Sequence, residues 1–139
     1  MKRTASANWK GGLKDGQGTV STTSGVLSSV PYNFSQRFET GAGTSPEELI
    51  AAAWAACFAM ALSAGLARGG TPPERLATSA TVTFQPGEGI IKGALTVRGT
   101  VPGIDAAGFE SAAQGAKENC PVSMALTGIP EITLDAALD

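Results

Sequence analysis

Cys57 and Cys120 are the only cysteines in the chain, and there is no histidine. The absence of histidine excludes Ser-His-Asp and Cys-His catalysis together with all histidine metal ligation, and two cysteines alone cannot make a zinc site of the usual kind. What remains to them is thiol chemistry. In a reducing compartment a lasting structural disulfide is disfavoured, while a transient, catalytic one is compatible with the chemistry. The two thiols sit in different settings. Cys120 precedes Pro121 in "NCPVSMALTG", which reads as a short helix with Pro121 at its first position and Gly128 at its end. A helix N-terminus lowers the pKa of a thiol placed there. Cys57 lies inside "EELIAAAWAACFAMALS". Desolvation in such a run raises a thiol pKa, and only a cation brought to Cys57 would make it a nucleophile. The competing reading is two unrelated buried cysteines, because free cysteine is among the most buried residue types.

The elements that must position these residues can be read from local signals. Strand-like segments at Thr4–Trp9, Thr19–Leu27 and Pro31–Glu39 are punctuated by glycine, with "GGLKDGQG" as the turn between the first two. "TGAGTSPEE" ends that strand region. Ser45 is a good N-cap, Pro46 suits the first helical position, and Glu48 completes an S-x-x-E capping box. The helix is expected from Pro46 to Arg68, stopping at Gly69-Gly70. Strands follow at Ala77–Gln85 and Ile90–Val101, joined by "PGEG". A helix at Ala106–Glu118, the short helix after Cys120 and a final strand "EITLDAAL" complete an α+β domain spanning 1–139.

Composition narrows the partners. Of 139 residues, 42% are hydrophobic and 16% charged, which is globular rather than disordered. The net charge is −2 with no Lys/Arg block, which argues against nucleic acid and against an anionic membrane surface. "MKRTASANWKGG" has no apolar run and does not read as a signal peptide. The apolar run Leu49–Leu62 is fourteen residues, half of them alanine, and reads as a buried core helix rather than a membrane span. A cytoplasmic location is the resulting expectation. A helix apolar on every face must be covered on every face. Either its own sheet wraps it, or a second copy of the chain packs against its small side chains.

Three stretches, "RFE" (Arg37–Glu39), "GTSPEELIAAAWAACFAMALS" and "NCPVS", together resemble the OsmC/Ohr family of thiol peroxidases, and their order and spacing resemble the OsmC branch in particular. The resemblance covers nearly the whole chain. It implies an OsmC-like fold: a long central alanine-rich helix, shorter helices and an antiparallel sheet, in an intertwined homodimer. It implies reduction of organic hydroperoxides without a cofactor, with Cys57 as the peroxidatic residue, forming a sulfenic acid, and Cys120 as the resolving residue that closes a Cys57–Cys120 disulfide. An external dithiol reopens it; the resemblance suggests a lipoylated protein. Arg37 would stabilise the Cys57 thiolate, and Glu47 would hold the guanidinium by a bidentate pair. The N-terminal turn, where the Ohr branch carries its arginine, offers only Lys10 and Lys14, so Arg37 is the better match. Ser45, Trp54 and Met124 depart from the residues common in the family and bear on substrate choice. Without the resemblance, Arg37 reads as a strand-surface arginine and Glu47 as a carboxylate favouring a helix N-terminus. A non-catalytic binding module and a two-cysteine redox sensor are the competing functions.

Helix arithmetic adds a constraint. Glu47 and Cys57 are ten residues apart on one expected helix, about 15 Å along its axis and on different faces. If both serve one site, Glu47 is expected to come from the other chain of an antiparallel helix pair.

Overall fold

The structure is a computed structural model that describes residues 1–39 and 41–139. Thr40, which opens the expected loop "TGAGTSPEE", lies outside them. The chain forms two compact units, Met1–Leu49 and Ile50–Asp139.

The first unit is a three-stranded antiparallel sheet in the order β1 (Ala5–Lys10), β2 (Gln17–Thr22), β3 (Val30–Tyr32). The β1–β2 hairpin closes through the expected glycine turn. Lys10 pairs with Gln17, and Gly16 N–H donates to Gly12 O at 2.8 Å. Gly11 needs its φ of 91°, which a side chain would disfavour. Strand β2 ends earlier than expected, at Thr22, where Thr22 N–H bonds Leu27 O at 2.9 Å and folds the chain over.

The expected strand Pro31–Glu39 is corrected more deeply. It stops at Tyr32, and Ser35–Arg37 forms a 3₁₀ turn instead. The cause is local. Asn33 Oδ1 accepts from Gln36 N–H at 3.0 Å, and Gln36 Oε1 accepts from Asn33 N–H at 2.7 Å. This reciprocal pair is the geometry of a capping box built on "NFSQ". Arg37 therefore leaves a helical turn, not a strand.

Helix α1 runs Pro46–Arg68, as expected. Ser45 Oγ accepts from Glu48 N–H at 3.2 Å, a cap of the kind that contributes about 1 kcal/mol. The return half of the box is replaced: the Glu48 carboxylate accepts from the Thr44 hydroxyl at 2.5 Å. At the other end, Gly70 (φ 86°) donates to Ala67 O at 3.1 Å and Thr71 to Leu66 O at 3.0 Å. That is a Schellman stop, which requires the left-handed residue that glycine supplies.

In the second unit, β4 (Arg75–Gln85), β5 (Gly89–Thr100) and β6 (Glu131–Leu138) form a sheet in that order. The first pair is antiparallel, with an irregularity at Thr83/Phe84. Strand β6 joins β5 in parallel, so this sheet is mixed rather than wholly antiparallel. The reason is the connection. Between β5 and β6 the chain passes through α2 (Ala106–Asn119) and α3 (Pro121–Ala125), the kind of crossover a parallel neighbour requires. The third helix thus ends at Ala125, before Gly128. Asp105 caps α2 by accepting from Gly108 N–H at 2.8 Å.

The core lies between this sheet and the helices. Trp54, Phe58, Leu62 and Leu66, spaced by four, form the buried stripe of α1 and cluster with Leu95, Val97 and Val101 of the β5 region and with Phe109, Ala113 and Ala116 of α2. Each large side chain buried there contributes about 1.5–3 kcal/mol. Two glycines of β5 are spaces for rings: a Cβ on Gly93 would stand 2.6 Å from the Trp54 indole, and one on Gly99 2.8 Å from Phe109. The opposite stripe of α1 is bare. Ala52, Ala53, Ala56 and Ala64 are exposed, and Met60 is 67% exposed. The chain's own sheet therefore covers one face of this helix. By length and composition alone, the 23-residue helix could also cross a membrane, which the fourteen-residue run did not suggest; its ordered core stripe is that of a helix packed on a sheet.

Candidate active site

Each unit holds one of two residue pairs. In the second unit, Cys57 projects from the middle of α1 and Cys120 stands at the N-cap of α3. Both are reduced thiols; Cys57 is half-buried and Cys120 fully buried. The two thiols are near enough for each to shift the other's acidity. Two cysteines from distant parts of the sequence are thus poised as a pair, and the reading of two unrelated buried cysteines is set aside.

Their acidities diverge. Burial is the main influence on Cys57 and pushes its pKa up; the Val122 N–H partly offsets this, and the Cys120 sulfur adds to the rise. Burial is also the largest single influence on Cys120, and alone would raise it. It is outweighed by the Ser123 N–H, the Cys57 thiol, the Ser123 hydroxyl and the Val122 N–H, so the Cys120 pKa is lowered. The Cys120 side chain makes no regular capping hydrogen bond, which fits a neutral thiol that accepts weakly; the same donors favour a thiolate strongly. Within the pair Cys120 is therefore the more acidic thiol.

Ser123 did not stand out in the sequence. Its hydroxyl accepts from the Trp54 indole N–H at 2.7 Å, a buried bond between residues 69 positions apart. The only local signal was its place three residues after Cys120 in "NCPVS". Trp54 is fully buried, whereas Met124 is 59% exposed.

In the first unit, Arg37 and Glu47 meet as expected from the family resemblance, but by one contact: Nε to Oε1, 3.4 Å. The bidentate fork does not form. Glu47 is 8% exposed, and its Oε2 is buried without a hydrogen-bond partner among the described residues. A buried carboxylate oxygen left without a donor is costly, by about 1–3 kcal/mol or more. Beside Arg37 lies a cleft of roughly 320 Å³ walled by Trp9, Leu13, Tyr32 and Phe34. The Trp9 and Tyr32 rings are 5.5 Å apart, and Trp9 Nε1 donates to Gly11 O at 3.1 Å, which ties this wall to the hairpin turn. The aromatic wall, too, went unread in the sequence, because its members are scattered over three segments.

The model of the family described as OsmC-like protein matches residues 39–135. The chain is 51% identical to peroxiredoxin OsmC of Escherichia coli (strain K12) over 135 residues, covering 95% of this chain and 93% of that protein. It is 35% identical over 101 residues to an organic hydroperoxide resistance protein of Xanthomonas axonopodis pv. citri (strain 306), covering 70% and 69%. Among solved structures, an organic hydroperoxide resistance protein OsmC from Legionella pneumophila superposes with a TM-score of 0.71 at 27% identity, covering 96% of each chain. With a family model over residues 39–135, 51% identity over 95% of the chain and a fold shared over 96% of its length with a solved relative, one assignment is left: the chain belongs to the OsmC-like family.

Proposed function

We propose that the protein is a thiol-dependent peroxidase that reduces organic hydroperoxides to alcohols. The observation that carries this reading is the neighbouring pair of reduced cysteines, one reachable and one sealed. Its relatives are named peroxiredoxin and organic hydroperoxide resistance protein.

Accessibility supports an order of attack. Cys120 has no exposed surface, so a peroxide meets Cys57 first, although Cys120 is the more acidic thiol. When a cation approaches Cys57, its proton passes to the neighbouring Cys120 sulfur. The Cys57 thiolate attacks the terminal peroxide oxygen; the S–O bond forms, the O–O bond breaks, and the alkoxide takes up a proton and leaves as the alcohol. Cys57 is now a sulfenic acid. Cys120 condenses with it, releasing water and closing the disulfide. An external dithiol reopens it by exchange.

Arg37 is the cation in this proposal. The apolar cleft at its side suits an alkyl or acyl hydroperoxide over hydrogen peroxide. The unpaired Glu47 Oε2 and the bare alanine stripe of α1 support a homodimer in which the other chain completes the ion pair and covers the helix. The protein would work in the cytoplasm with a dithiol reductant, for which a lipoylated protein is the candidate.

The test is consumption of cumene hydroperoxide with dithiothreitol, against a Cys57→Ser control. Multiple turnovers that vanish in the control support the reading. Stoichiometric oxidation without turnover would make the pair a sensor instead.

A further inference from the structure

Two glycines of the first unit also make room for rings. Trp9 of β1 pairs with Gly18 of β2, and Gly18 pairs with Tyr32 of β3, so the three residues form one row across the sheet. Directly paired residues present their side chains on the same face. The middle position has no side chain, and the indole and phenol close over the gap with centroids 5.5 Å apart and planes at 42°. The fit excludes even a methyl group: a Cβ on Gly18 would stand 2.5 Å from the Tyr32 ring, and one on Gly16 2.7 Å from the Trp9 ring. The bond from Trp9 Nε1 to Gly11 O, 3.1 Å, sets which way round the indole lies.

This aromatic platform is not sunk into a core. Trp9 is 37% exposed, and Leu13 on the turn beside it is 62% exposed. Both line the same cleft as Tyr32, Phe34 and Arg37. Three of its walls are thus rings, and Phe34 is itself backed edge-on by Phe38 at 5.3 Å. A flat ring loses little freedom on settling against rings that are already held, and offset or edge-to-face contacts add to the burial of apolar surface. At roughly 320 Å³ the cleft is at the small end for a ligand site. It suits one ring with short substituents better than a long acyl chain.

We propose that this cleft selects hydroperoxides that carry an aromatic ring on a short alkyl group, and that Trp9 is the specificity-determining residue. The ring lies against Trp9, Tyr32 and Phe34, and the hydroperoxyl group lies at Arg37, the cation of the proposed cycle. The proposal rests on the peroxidase reading above and deepens it, narrowing an organic hydroperoxide to an aralkyl one.

Cumene hydroperoxide and tert-butyl hydroperoxide differ in one group: a phenyl in the first is a methyl in the second. Both are tertiary peroxides, so the ratio of their kcat/KM values isolates the ring. In the full chain with dithiothreitol, Trp9→Leu keeps an apolar side chain and removes the ring. It should lower that ratio about tenfold, mostly through KM for the cumyl substrate. Trp9→Phe, which keeps a ring without the bond to Gly11 O, should recover most of the ratio. Hexyl hydroperoxide, apolar and ringless, should lose less than the cumyl substrate does. A purely structural role would lower all rates together, so an unchanged ratio in an active Trp9→Leu chain overturns the proposal. A hexyl substrate that falls as far as the cumyl one also overturns it, since the cleft would then take any apolar tail. A second measurement leaves the cleft unaltered. The Cys57→Ser chain should bind 2-phenylpropan-2-ol, the alcohol product, more than about tenfold tighter than tert-butanol, with nuclear Overhauser contacts to the Trp9 indole. Equal affinities, or contacts away from Trp9, overturn the proposal. Binding at Trp9 beside absent turnover in the unaltered protein would remove the peroxidase reading and leave the aryl site standing; intact turnover with an unmoved ratio would remove the specificity role alone.

Discussion

The thiol pair and the ion pair are built to different degrees of completion. Around Cys120, the Ser123 and Val122 groups and the Cys57 thiol together outweigh burial and lower the thiol's pKa, and the Trp54 indole bonds the Ser123 hydroxyl at 2.7 Å. Around Glu47, one oxygen holds Arg37 at 3.4 Å and the other is buried without a hydrogen-bond partner among the described residues. A half-satisfied buried carboxylate is worse than either a solvated or a fully bonded one. One region is finished within a single chain. The other leaves a carboxylate oxygen unsatisfied among the described residues, and in the proposed homodimer the second chain would supply its donor. The lesson is that a catalytic pair can be complete in the fold of one chain while the group proposed to activate it is not.

The strongest way to test the finished region is to remove its reachable sulfur. Cys57→Ser should abolish peroxide turnover, a loss of about three orders of magnitude or more. Cys120→Ser should still form a sulfenic acid on Cys57, trapped and located by mass spectrometry. A peroxide-dependent sulfenate on Cys120 in Cys57→Ser, with none on Cys57 in Cys120→Ser, would reverse the order of attack.

The unfinished region should respond next. Arg37→Lys keeps the charge but loses the planar fork that can face a carboxylate and a thiolate together. Turnover should fall by about a hundredfold, with little change in thermal stability because Arg37 is partly exposed. Near wild-type turnover would show that a point charge suffices.

Whether that region is completed by a second chain is decided by complementation. Glu47→Ala and Cys57→Ser chains, unfolded and refolded together, should recover about a quarter of wild-type activity, since half of random dimers are mixed and each has one intact site. No recovery in verified heterodimers would defeat the shared-site model.

The smallest expected effect is on the pH dependence of stability. The folded-state pKa of Cys120 lies below its unfolded value. Its ionisation therefore stabilises the fold above the unfolded pKa, and this contribution is lost as pH falls through the folded one. For Cys57 the folded value is raised, chiefly by burial. Its contribution is present below the unfolded pKa and is lost as pH rises through the folded one. Denaturant midpoints of Cys57→Ser, where Cys120 stands alone, should rise with pH across the thiol range. Those of Cys120→Ser should fall. Equal slopes in the two variants would mean that the thiols do not differ in environment.

Much of the frame was legible from residues close together in the chain. Helix α1 has its expected ends because Ser45-Pro46 and Gly69-Gly70 act on their own neighbours through caps and a left-handed residue. The hairpin glycines and Asp105 belong to the same class. The two cysteines were legible as chemistry because no histidine competes with them, and Cys-Pro marked the start of α3. The error at Pro31–Glu39 was also local: Asn33 and Gln36 three residues apart bond reciprocally and end β3, a signal present in the sequence and passed over.

Other features were decided only when distant segments met. Strand β6 is parallel to β5 because two helices intervene and return the chain along the same direction, and an alternating strand pattern is silent about that. The bond from Trp54 to Ser123 spans 69 positions, and the glycine that makes room for the indole lies on a strand distant in sequence from both. Residue types and local signals determined that this protein has two thiols and no histidine, one thiol at a helix start and one in an apolar helix; that they pair was what the family resemblance implied. Packing alone determined which of them is sealed and which can be reached. Solvent access and the acidity of a buried sulfur depend on side chains from several elements, and no single segment encodes them.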